Sequence, residues 1–167
     1  MSNYIGIPIL LVAALLNSTL MSEFRIGGGA PDLVFMLVVS WALLGNIEEA
    51  LTWAVIGGVM QDLLSVAPLG TSSLGLVIVA FGADTIFGQI QRSNFIVPPV
   101  TAIGGTFVYH LTTVIILGVI GVSIPLGRGL TYVTLPTLFY NALLIIPVFR
   151  LSGILYRWLH PHRVRIQ

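Results

Sequence analysis

Cysteine is absent from this chain, and so is lysine. Without cysteine there is no disulfide, no thiolate metal site and no cysteine nucleophile. Without lysine, all seven basic residues are arginines. Charge of either sign is scarce: Asp, Glu, Lys and Arg make up 8% of the 167 residues, against roughly 25% in soluble proteins. A net charge of +1 is too small for a nucleic-acid surface. Catalytic signatures are missing as well. There is no GxSxG, no HExxH and no pair of acids in an intramembrane protease motif. His110 is the one histidine inside an apolar stretch, without a second His or Cys at metal spacing. His160 and His162 flank a proline in a polar tail and are expected to be exposed. No cofactor, metal or catalytic residue is therefore expected.

What the chain does contain is apolar surface. Hydrophobic residues make up 56% of it and the mean hydropathy is +1.02. Spread over the whole length, this means that lipid is the solvent. A span needs about 20 mainly apolar residues, which predicts one all-α transmembrane domain with six helices. The spans are read at about 4–21, 31–46, 48–65, 71–88, 95–122 and 130–159. The run Ile5 to Leu20 has no basic residue before Arg25, so it reads as a retained first helix and not a cleaved signal. Gly27-Gly28-Gly29 breaks the chain. Pro31-Asp32 opens span two, with proline where its missing N–H does no harm and an acid at the positive end of the helix dipole. Glu48 and Glu49 open span three in the same way. Spans two and three have short apolar cores and are either two full crossings or a re-entrant hairpin. Span six is expected to bend at Pro136 and Pro147.

Arginine placement sets the expected topology. Arg92, Arg150, Arg157, Arg163 and Arg165 fall on the side of the termini, and Arg25 and Arg128 on the other. Five against two predicts both termini in the cytoplasm. Tyr4, Trp41, Trp53, Tyr132, Tyr156 and Trp158 lie near span ends, where an aromatic belt is expected.

Small and polar residues inside the spans should associate the helices, because hydrophobicity gives little drive within lipid. Gly58, Asp62 and Ser65 share one face of span three, flanked by Gly57 and Gln61. That stripe is expected to face another helix. Gly75, Ile78, Gly82 and Thr85 form a small face on span four, and Thr101, Gly105, Val108 and Thr112 one on span five. Asp62 stands just before Pro68-Leu69-Gly70 and is expected to cap that turn or the helix start at Ser72-Ser73. Asp84 is expected to pair with Arg92 or Arg150. Tyr109-His110 and Tyr140-Asn141 fall at similar depth and could form a hydrogen-bond cluster.

These residues resemble the bacterial rod shape-determining MreD family. The likeness rests on Pro31-Asp32, on Trp41-Ala42-Leu43, and on Gly57-x-x-x-Gln61-Asp62-Leu63-Leu64-Ser65 followed by Pro68-Leu69-Gly70. It implies a non-enzymatic scaffold of the cell-elongation, peptidoglycan-synthesis machinery in the inner membrane. The implied partner is MreC, through its single membrane helix. MreB, a SEDS glycosyltransferase and a penicillin-binding transpeptidase are implied indirectly. The family is also similar to the six-helix S components of energy-coupling-factor vitamin transporters. The alternative is thus a solute-binding component, with Asp32, Asp62 and Ser72-Ser73 as pocket groups.

Overall fold

The structure is a computed structural model that describes residues 2–19, 23, 25, 28–87, 96–121 and 129–160, with backbone alone at 2–4 and 129–131. Among the described residues it is all-helical: α1 (Ser2–Ser18), α2 (Leu33–Leu44), α3 (Ile47–Leu63), α4 (Thr71–Phe87), α5 (Val97–Val119) and α6 (Leu135–Leu159). α5 and the stretch Tyr132–Leu159 are long and apolar enough to cross a membrane by themselves. The others are shorter. The Gln89–Asn94 loop, Arg128 and the tail beyond His160 lie outside the described residues.

α2 organises the bundle. It has 12 residues, about 18 Å at 1.5 Å each, which is less than the hydrocarbon thickness. It nevertheless touches all five other helices. Ten of its residues, Val34 to Met36 and Val38 to Leu44, are buried. A helix sheathed in protein does not have to match the bilayer, because its neighbours meet the lipid instead. The outer ring runs α1, α3, α4, α5, α6, and α2 shows through a seam between α1 and α6. Outward-facing Leu63, Phe81, Ile86, Phe139 and Leu151 are all more than half exposed. An apolar surface that extensive needs lipid against it.

Local chemistry explains the breaks. Asp32 caps α2, its carboxylate accepting from Phe35 N at 2.9 Å. α3 stops at Leu63, and the chain then turns through Gly70 at φ +96°, where a side chain would be strained. The segment Gly129–Thr134 is π-helical and leads into Pro136 in the first turn of α6. Proline lacks the N–H and crowds the carbonyl four residues back, so a widened turn ahead of it relieves both problems. Pro147 lies inside α6.

Two expectations change here. Trp41 and Trp53 are 0% and 1% exposed, so they are core residues and not part of a belt, because α2 and α3 turn them towards each other. Tyr132 and Trp158, by contrast, are exposed. His160 is not in a free tail: it stacks on Tyr156 with ring centroids 4.4 Å apart and meets Glu49 at 3.2 Å.

Candidate functional site

Asp32 is the hub of a polar lattice inside one end of the bundle. Its carboxylate accepts from Asn17 Nδ2 of α1 at 2.8 Å and from Gln61 Nε2 of α3 at 2.9 and 3.0 Å. Its backbone N–H donates to Asn141 Oδ1 of α6 at 3.0 Å, and Asn141 Nδ2 donates to Thr106 Oγ1 of α5 at 3.0 Å. Asn17 Oδ1 also accepts from Leu33 N at 2.9 Å. One acid therefore ties α1, α2, α3, α5 and α6 together. Every group facing it is a donor, which suits an ionised carboxylate. Taking a polar group out of water costs free energy unless it is hydrogen-bonded, and such donors offset that cost.

Asp62 does the same for the α3–α4 hairpin. It is 2% exposed. Oδ2 accepts from Gly70 N at 2.7 Å, and both oxygens lie 3.1–3.2 Å from Ser72 N. The amides at the start of α4 have no helical partner of their own, so a carboxylate there meets both hydrogen-bonding and dipole needs. Tyr109 of α5 lines one cavity with Gln61 and Ser72, so the two acids share one neighbourhood. His110 Nδ1 lies 2.8 Å from Thr134 Oγ1. Asn141 joins the lattice at both ends of its amide.

The expected glycine stripe is used within the chain. A Cβ on Gly58 would lie 2.3 Å from Ser73 Cα, on the backbone of α4, so only glycine permits that approach. Ser73 Oγ then reaches Val55 O at 3.2 Å. Gly57 packs on Val34 and Leu10, and Gly75 on Tyr109. Ser65 lies beyond α3 and is exposed; its hydroxyl accepts from Ala67 N at 3.1 Å and shapes the turn. Gly82 is different, since a Cβ there meets nothing within 4 Å, and the same is true of Gly104. These two glycines line an apolar groove of about 420 Å³ between α4 and α5, with Ile78, Val79, Val100 and Val108. Asp84 is half-buried on α4 and Arg150 exposed on α6, while Arg92 lies outside the described residues.

The opposite end is aromatic. Trp41 and Trp53 stack with centroids 3.9 Å apart, and Tyr156 meets Trp41 edge-on at 5.6 Å. Trp41 Nε1 donates to Glu49 Oε2 at 3.1 Å, and His160 holds the other oxygen. Sequence reasoning did not single out this cluster, nor Asn17 and Thr106. Two tryptophans on adjacent short helices, with Gly6 opposite Trp53, were the available signal.

Among the described residues no group of His, Cys, Asp and Glu could hold a metal. Residues 2–159 match the family described as rod shape-determining protein MreD. No curated protein and no solved structure matches the chain significantly.

Proposed function

We propose a scaffold role for this chain, proceeding from the fact that it belongs to the MreD family of rod shape-determining membrane proteins. The family ties the chain to rod-shape determination and to the rod complex. The proposed role is a non-enzymatic one, in which the α4–α5 groove receives the single membrane helix of MreC. MreB, the SEDS glycosyltransferase and the penicillin-binding transpeptidase would be reached through that contact. The observation that carries this reading is the space left open at Gly82 and Gly104 on a lipid-facing, apolar groove. Small residues let helix backbones approach closely, and close packing is what associates helices in lipid. The stripe at Gly58 cannot serve, because α4 already fills it.

The proposed topology is multi-pass in the inner membrane with both termini in the cytoplasm, on the arginine distribution. The Asp32–Asp62 lattice would then face outward and the Trp41–Glu49–His160 cluster inward.

A Cβ at Gly82 or Gly104 meets nothing within 4 Å, so Gly82→Leu and Gly104→Leu should leave the chain folded. Each is expected to reduce co-purification with MreC by about tenfold or more, an effect of at least 1.4 kcal/mol. Wild-type recovery in both variants would refute the groove. The absence of native cysteine makes a second test simple. Single cysteines at Gly82 and at Val12 are paired with cysteines along the MreC helix. Disulfides at Val12, beside the α1–α6 seam, and none at Gly82 would place the partner elsewhere.

A further inference from the structure

A cavity of about 790 Å³ opens beside the Asp32–Asp62 lattice, lined by Asn17, Arg25, Gln61, Leu64, Ser72 and Tyr109 among others. Three observations show that it is more than a gap. First, Gln61 carries an unused acceptor. Its Nε2 donates to both oxygens of Asp32, which fixes the amide orientation, because a carboxylate can only accept. Oε1 therefore points away from Asp32; it is buried and has no partner. Asn17 and Asn141, the other amides of the lattice, use both ends. Second, Asp32 and Asp62 are held by neutral N–H groups alone, with no cationic partner among the described residues. Third, Arg25 lies on the exposed wall of the same cavity and forms no ion pair with either acid. The cavity is negative behind Gln61 and positive at Arg25. A simple cation or a simple anion would meet like charge at one end.

We propose that this cavity binds a zwitterion in which a primary ammonium is linked to a phosphate, the chemistry of a phosphoethanolamine headgroup. The ammonium sits over the field of the two carboxylates, and Gln61, which lines the cavity, turns its buried and unpartnered Oε1 to accept an N–H from it. The phosphate takes Arg25 at the wall, where a guanidinium can grip two oxygens. Exposed Leu63, Leu64 and Val66 flank the opening and suit the acyl chains of a lipid. The same headgroup could arrive free in solution. The proposal concerns the chain alone and does not depend on the α4–α5 groove.

The test is native mass spectrometry of the purified full chain in mild detergent, with matched additions of phosphatidylethanolamine, phosphatidylcholine and phosphatidylglycerol. Phosphatidylcholine has the same charges but no N–H to donate. Retention of phosphatidylethanolamine about tenfold above both others is expected, the worth of one charge-assisted hydrogen bond. Arg25→Gln should reduce that retention by a similar factor. Ser18→Trp, at the cavity rim and outside the lattice, should abolish it by filling the space. Displacement of the lipid by free phosphoethanolamine would support the headgroup chemistry with a soluble source, and failure to displace would support it with a lipid source. Equal retention of the ethanolamine and choline lipids overturns the proposal. So does unchanged preference in both variants, or no adduct of either kind.

Discussion

The two ends of the bundle meet the same demand with opposite chemistry. At one end, the first amides of α2 and α4 and the acids Asp32 and Asp62 are joined to one another and to amide and hydroxyl side chains. At the other, the α2–α3 connection is closed by stacked indoles, with one acid, Glu49, held between Trp41 and His160. The polar lattice is directional and leaves Gln61 Oε1 without a partner, on a residue that lines a cavity. The aromatic cluster is packed: its own unpartnered group, Trp53 Nε1, lies against Gly6 where a Cβ would have no room. A hydrogen-bonded end is suited to holding something polar, and a packed end to holding the helices in place. The lesson is that an acid in lipid becomes acceptable through its donors, whereas an indole becomes acceptable by being surrounded.

That contrast can be broken by substitution. Trp41→Ala should have the largest effect, about 3–5 kcal/mol of destabilisation, because it empties the centre of the cluster and strips Glu49 of a donor. Thermal unfolding in detergent reads it directly. A loss below about 1 kcal/mol would show that the cluster is not a packing centre. Asp62→Asn should come next, at about 2 kcal/mol, even though it is nearly isosteric. The new NH2 group would face Gly70 N or Ser72 N, donor against donor. If Asp62→Asn proved neutral, the hairpin would not depend on its carboxylate. His160→Ala should be the smallest of the three, at about 1 kcal/mol or less, since the pair is partly exposed and screened. A cost equal to that of Trp41→Ala would mean the aromatic end is held by charge and not by stacking.

Much of the lattice was readable from particular residues. Asp62 one turn ahead of Pro68-Leu69-Gly70 pointed to the amides it meets, because the spacing within one hairpin is short and local. Pro31-Asp32 marked the start of α2 for the same reason. Asn17 and Thr106 were not readable, because their partners lie 15 and 35 residues away along the chain and no local pattern brings them there. Gly58 was expected to face another helix, and a Cβ there would fall on the backbone at Ser73. Which helix it meets was open, and the answer is the chain's own α4.

By itself, the sequence determined that the chain lives in lipid, that it is helical, and where its helices break. Those properties follow from composition, from proline and glycine, and from acids at helix starts, all of which act over a turn or two. Only the tertiary structure decided that α2 is the sheathed centre, that Trp41 and Trp53 face each other, and that Gly82 and Gly104 are left open while Gly58 is filled. In a chain apolar on nearly every face, periodicity does not say which side of a helix is inside. The choice falls to long-range packing and to the few polar groups that must find each other.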